Sequence, residues 1–250
     1  MPSERAAIVL GGSGSVGAAL LSELFLDDSF SAVIALSRRS LPEAVAMART
    51  AGRRLVEKVV PDMNPLSLEA ATLDAARDFD GELEGFSVLG VGAGTAKLTL
   101  EEHRAVDVEL NEAFARALKH SGKVRHLAFM SAAGADPTEK IGGGGAAGMS
   151  RYNRVKGEAE DAVRSSGPAI VSVFRPAMII GSRHTPWVLE KTLPMFALVT
   201  PAKYKSIRVE QIAKAMVAAA NDHPATSAAC YYPQMMALIR KDSDNRSKPS

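Results

Sequence analysis

The sequence predicts an α/β fold: a doubly wound parallel sheet with a small helical lobe on the substrate side at its C-terminal end. Three observations carry this expectation. Near the N-terminus a short apolar run, Ile8-Val9-Leu10, enters a glycine turn and then a helical apolar pattern at Val16, Leu20, Leu21, Leu24 and Phe25. Beyond it, β-branched apolar runs alternate with stretches of helical period, the pattern of βα units around a parallel sheet. A second glycine cluster, with Gly90, Gly92 and Gly94, follows the fourth apolar run.

The first turn, Gly11-Gly-Ser-Gly-Ser-Val-Gly17, has the strand–turn–helix context of a dinucleotide-binding loop. Gly11 lets the chain turn off the strand. Gly14 allows a pyrophosphate to approach bare backbone, and Gly17 lets the helix pack on the strand. Ser13, Ser15 and Val16 complete the cradle, whose helix N-terminus offers free N–H groups and a partial positive charge.

A second strand over 31–37 ends at Arg38-Arg39. An acidic residue at this point would bind a ribose 2′-hydroxyl, whereas arginine accommodates a 2′-phosphate, so NADP(H) is favoured over NAD(H). A third strand over 54–60 runs into Asp62 and Met63, where an adenine ring would rest. A helix over 66–79 follows, with Gly81 and Gly85 at its exit. The fourth strand is expected within 86–95 and ends in Gly90, Val91 and Gly92. A long helix over 100–120, a fifth strand over 124–130 ending at Ser131, a helix over 151–165 and a sixth strand over 169–174 complete the alternation. Arg175-Pro176 follows the sixth strand. From Gly181 the alternation weakens, and helical stretches at 187–198 and 209–221 would form the C-terminal lobe, about 181–240. One domain is expected over 1–240, with 241–250 as a polar, unpatterned and disordered tail.

Chemistry enters at Tyr152 and Lys156, which share one helix face at i and i+4, and at Ser131 on the carboxyl edge of a strand. Hydride transfer to a carbonyl leaves charge on oxygen, and that oxygen needs a proton. A phenol is a weak acid near neutral pH, and an adjacent ammonium favours its ionised form. Tyr152 is therefore the candidate general acid and base. Lys156 is the residue that tunes it and binds the cofactor ribose, and Ser131 the donor to the substrate oxygen.

Composition narrows the alternatives. The charge is nearly balanced, 30 basic against 28 acidic residues, which argues against direct nucleic-acid binding. The single cysteine, Cys230, excludes an internal disulfide, and the five histidines show no metal-ligand spacing. No apolar run has the roughly 18 residues of a membrane span. With no segment resembling a signal or transit peptide, a cytoplasmic location is expected.

The chain resembles the atypical short-chain dehydrogenase/reductases, most closely the Tat-interacting protein (metastasis-suppressor) oxidoreductase group and its fungal relatives. The residues that carry the resemblance are Gly11–Gly17, Ser37-Arg38-Arg39, Val106-Asp107, Tyr152-x-x-x-Lys156-Gly157-Glu158 and Val173-Phe-Arg-Pro176. It implies a Rossmann-like fold, NADP(H) as cofactor, and Arg175-Pro176 beside the nicotinamide. It also implies a small carbonyl or alcohol substrate and admits a protein partner. Many members carry an asparagine in the long fourth helix that serves a proton relay; the matching position here is Asp107. The alternative is a non-catalytic NADPH-binding module that contacts another protein. A nucleotide-sugar epimerase shares the glycine pattern, but the short C-terminal part shows no sugar-nucleotide site.

Overall fold

The computed structural model describes residues 4–142, 147–181 and 201–247. Strand β1 (Arg5–Leu10) is followed by α1 (Ser15–Leu26), β2 (Ala32–Ser37), α2 (Pro42–Thr50), β3 (Arg54–Val59), α3 (Pro65–Arg77) and β4 (Glu82–Ser87). Then come α4 (Leu100–Arg104), a π-helical turn (Ala105–Glu109) and α5 (Leu110–His120) as one continuous run, and β5 (Val124–Met130), α6 (Ala147–Ser166) and β6 (Ile170–Phe174). The chain closes with the short β7 (Ile179–Ile180) and β8 (Ile207–Arg208), then α7 (Val209–Asn221), β9 (Ala228–Cys230) and α8 (Tyr232–Arg246).

Seven strands form one parallel sheet in the order β3-β2-β1-β4-β5-β6-β9, and β7 pairs with β8 separately. Successive β1 residues alternate between two cores. Ala7 and Val9 join Leu20 and Leu24 of α1 and Ile212 and Met216 of α7, whereas Ala6, Ile8 and Leu10 join Phe114 and Leu118 of α5 and Val155 of α6. A sheet covered on both faces needs continuous apolar strands, and β1 and β2 are buried along their whole length. The strand order reverses between β1 and β4, and ligands of open α/β sheets bind at such a switch point.

Local signals account for several boundaries. Asn64 caps α3 by accepting from Ser67 N at 2.9 Å, with Pro65 next to it. Thr99 and Glu102 form a reciprocal capping box at the start of α4.

The structure departs from the sequence expectations in four places. Strand β4 starts at Glu82, and Gly85 lies inside it because a Cβ there would stand 2.6 Å from Leu118 Cδ1. Helix α2 was not anticipated. Residues 241–246, expected in a polar tail, belong to α8, whose Met235 is buried and whose Arg246 pairs with Asp27. The described part of the expected C-terminal lobe is not set apart, since α7 packs on α1 and β9 extends the main sheet. The expected helix at 187–198 lies outside the described residues.

A buried polar chain crosses the sheet near its amino edge. Arg5 Nη2 is 2.9 Å from Glu84 Oε1, Glu84 Oε2 is 3.1 Å from His126 Nδ1, and His126 Nε2 is 2.9 Å from Ser172 Oγ. Serine, histidine and carboxylate stand as in a nucleophilic triad. Ser172 is 3% exposed and His126 2%, so no substrate reaches them and the chain serves to align strands.

Candidate functional site

At the end of β1, Gly11 adopts φ +92°, and a Cβ there would lie 2.6 Å from Leu89 N. Gly17, in the first turn of α1, is tighter still, because its Cβ would meet Gly11 O at 2.1 Å. These two glycines are demanded by the protein itself. Gly14 is different: a Cβ there would meet only Gly11 O, at 3.6 Å, so the space beside it is open. Gly14 is also the N-cap of α1, and that helix has neither a side-chain cap nor an acidic residue in its first turn. The positive end of its dipole therefore meets no protein carboxylate in the first turn, which suits an anion. Val16 and Gly17 are buried behind the turn, and Ser15 begins the helix.

From this turn a groove of about 840 Å³ runs along the carboxyl edge of the sheet. Gly11, Ser13, Gly14, Arg38, Arg39, Asp62, Met63, Gly90 and Val91 all line it. Arg38 and Arg39 are exposed, and no acidic side chain among the described residues is paired with either. The turn that carries them is held by Ser37 Oγ donating to Arg39 O at 2.7 Å. Gly92, with φ +60°, opens a 3₁₀ turn (Gly92–Lys97) and is not among the groove's lining residues.

Gly90 joins the groove to the second half of the site. A Cβ on it would stand 2.8 Å from Lys156 Nζ and 3.0 Å from Asp107 Oδ1. Lys156 Nζ is itself 2.6 Å from Asp107 Oδ1, and both side chains are almost wholly buried. Asp107 Oδ2 accepts from Val91 N at 2.9 Å, which ties the glycine segment to the π-helical turn. Asn111 holds that turn from below, donating to Asp107 O at 2.9 Å. π-Helical turns of this kind are frequent at functional sites.

Tyr152 lies half-buried one turn before Lys156, whose Nζ is 5.8 Å from the centre of its ring. His103 also stacks on Tyr152, with ring centres 6.1 Å apart and planes 18° from parallel. His103 Nε2 is 3.7 Å from Asp107 Oδ2. Burial pulls the Lys156 ammonium toward its neutral form, but Asp107, Tyr152 and Glu160 together reverse this and raise its pKa. Burial dominates at His103 and lowers its pKa despite Asp107, with Lys156 and Arg151 adding to the effect. His103 was not singled out in the sequence; its i, i+4 spacing to Asp107 is the signal that could have found it.

Ser131 follows β5, and its N–H donates to Phe174 O at 2.7 Å. Its hydroxyl is buried and has no hydrogen-bond partner among the described residues. The loop after it lies directly on α6. A Cβ on Gly134 would strike Asn153 Oδ1 at 2.6 Å, and one on Gly157 would strike Pro137 N at 2.1 Å. Asn153 and Gly157 directly follow Tyr152 and Lys156, so this packing keeps the Ser131 segment in register with the Tyr–Lys face.

The Arg175 side chain is held by its neighbours in the protein. Its guanidinium grips Glu160 with two nitrogens and donates to Tyr231 Oη at 2.6 Å, tying β6 to α6 and to the start of α8. This side chain is committed to the scaffold. Pro176 is buried, and its carbonyl accepts from Ala133 N at 2.9 Å.

No protein-family model matches the chain. The chain is similar to the protein FMP52, mitochondrial, of Eremothecium gossypii, at 29% identity over 182 residues covering 72% of this chain and 68% of that one. It is similar to the Saccharomyces cerevisiae FMP52 at 25% identity, covering 70% and 66%. These matched proteins carry the FMP52 name rather than that of the Tat-interacting group. They are also named as mitochondrial, which overturns the cytoplasmic location expected from the sequence. No helix among the described residues is long and apolar enough to cross a membrane.

Among solved structures, a short-chain dehydrogenase/reductase from Serratia marcescens matches with a TM-score of 0.62 at 22% identity, covering 93% of this chain and 99% of that one. An alcohol dehydrogenase from the archaeon Thermococcus sibiricus, complexed with 5-hydroxy-NADP, matches with a TM-score of 0.62 at 16% identity, covering 92% and 97%. The protein thus has the Rossmann-like fold of the short-chain dehydrogenase/reductases.

Proposed function

We propose that this protein is an NADP(H)-dependent oxidoreductase that interconverts a small carbonyl compound and its alcohol. The observation that carries the reading is the groove, which runs from the uncapped α1 N-terminus and Arg38-Arg39 to Gly90, against which Lys156 lies. Gly11, Gly14 and Gly17 fit a pyrophosphate cradle, the two arginines fit a 2′-phosphate, and Asp62 and Met63 fit the adenine end. The resemblance to a group of NADP(H) oxidoreductases agrees with this. When bound, the nicotinamide would supply or accept the hydride.

The chain's own residues would do the rest. The unpartnered Ser131 hydroxyl is suited to donate a hydrogen bond to the substrate oxygen. Tyr152 would give that oxygen its proton in reduction and take it back in oxidation. Lys156, charged and buried, would stabilise the phenolate left behind and hold the ribose hydroxyls.

The test is titration of the purified protein with NADPH and NADH, followed by nicotinamide fluorescence, beside an Arg38→Ala/Arg39→Ala double variant. NADPH binding weakened at least tenfold in the variant, with NADH binding little changed, is expected. Equal loss for both nucleotides would remove the arginines from the 2′-phosphate role, and no binding of either would reject the cofactor.

One observation favours a second reading, a non-catalytic NADPH-binding module acting through a protein partner. Lys156 is engaged by Asp107 at 2.6 Å rather than presented to Tyr152 alone. Turnover in a carbonyl screen, abolished by Tyr152→Phe with NADPH binding intact, would exclude it.

A further inference from the structure

Among the described residues two histidines are fully buried, and the fold treats them differently. His126 has a partner at each ring nitrogen, Glu84 and Ser172. His103 is equally sealed from solvent, yet neither of its nitrogens has a hydrogen-bond partner among the described residues. A position chosen for packing alone would hold Phe or Leu, because unpaired buried polar atoms are destabilising.

The surroundings of His103 are specific. Its ring stacks on Tyr152, and its Nε2 lies 3.7 Å from Asp107 Oδ2, just beyond hydrogen-bond reach. Asp107 faces it from the same helical run, and Tyr152, Lys156 and Arg151 face it from α6. Asp107 therefore stands between two donors, with Lys156 on Oδ1 and His103 close to Oδ2.

We infer that His103 is a positioning residue for Tyr152, holding the phenol by stacking and donating Nε2–H to Asp107 when Lys156 turns to the charge developing on the Tyr152 oxygen. The inference rests on the reading of Tyr152 as proton donor. As the phenol loses its proton, the phenolate draws on the Lys156 ammonium. Asp107 loses part of its counter-charge and remains buried. The imidazole N–H, a short displacement away, replaces it. His103 neither gains nor loses a proton in this step.

The test follows Tyr152 itself in the full-length, ligand-free protein. Tyrosines are labelled with ¹³C at the ring carbon bearing the hydroxyl, the Tyr152 resonance is assigned by its loss in Tyr152→Phe, and its alkaline transition is recorded. His103→Phe keeps the stack and removes the donor. It should move the Tyr152 transition to higher pH and lower kcat about tenfold with KM little changed. It should not lower the thermal midpoint, since two unpaired nitrogens are removed. His103→Gln restores a donor and should recover most of both losses. In an Asp107→Asn background, His103→Phe should have no further effect on the Tyr152 transition.

An unmoved transition in His103→Phe, or an equal shift in both backgrounds, would reduce His103 to packing. Should His103→Phe fail to fold, His103→Leu beside His103→Gln carries the test: the Tyr152 transition must lie at higher pH in His103→Leu, which lacks the donor, and equal transitions would overturn the inference. If Tyr152→Phe kept full turnover while these shifts were observed, the oxidoreductase reading would fail and the positioning would stand.

Discussion

The Lys156 ammonium and the Asp107 carboxylate lie 2.6 Å apart, each with almost no solvent around it. The two come from different helices, α6 and the π-helical turn, and they meet against Gly90. Breaking such a pair from one side leaves an unpaired buried charge, at a cost of about 3–5 kcal/mol. Removing both partners costs much less, so the pair is better explained by what it does than by stability.

That packing makes Gly90→Ala informative. The added methyl would stand 2.8 Å from Lys156 Nζ, the far end of a flexible side chain, which can move aside. The fold should survive at a cost of about 1 kcal/mol, a thermal shift of about 2–4 °C. Turnover, which depends on where the ammonium stands, should fall about tenfold to a hundredfold. A wild-type rate in Gly90→Ala, measured beside its melting curve, would separate Lys156 placement from activity.

Alkaline pH tests the pair directly. The folded state raises the Lys156 pKa above its ordinary 10.5, so the stabilising contribution is complete below that pH. It is lost as pH rises through the folded-state value. The stability difference between wild type and a Lys156→Met/Asp107→Asn double variant should therefore shift against the wild type above about pH 10.5 and stay flat from pH 8 to 10. Circular-dichroism melts across pH 8–12 would read it.

The polar chain Arg5–Glu84–His126–Ser172 should behave as scaffold. Glu84→Ala strands the Arg5 charge and leaves His126 Nδ1 without its partner. A loss of about 3 kcal/mol or more in urea unfolding is expected, with NADPH affinity unchanged. Ser172 should also resist acylating serine reagents in the native protein, because nothing reaches a hydroxyl 3% exposed.

The glycine turn was legible in the sequence because its demands are local. Gly11 needs its left-handed φ and Gly17 its contact with the turn, both within a few residues of β1; the further clash of Gly11 with Leu89 only adds to a demand already set locally. The Tyr152–Lys156 face was legible for the same reason. Gly85 misled, since its requirement comes from Leu118 across the core and not from a helix exit. Helix α8 was missed because Met235, Leu238 and Ile239 are few among polar neighbours and gain meaning only against α7. Arg175 read as a cofactor residue from the resemblance; its partners Glu160 and Tyr231 lie 15 and 56 positions away in sequence, beyond any spacing rule. His103 and Asp107 share a helix run, yet their relation to Tyr152 exists only once that run is laid across α6.

The last turn of α8 carries one more consequence. Arg246 pairs with Asp27, Asp27 accepts from Asn221 at 2.8 Å, and Asn221 accepts from Arg5 at 2.9 Å. The beginning of β1 and the end of α8 are thus stapled together at the amino edge of the sheet, opposite the groove. Loosening of α8 would therefore be felt at Arg5, whose Nη2 holds Glu84, and so along the strands that meet at this edge.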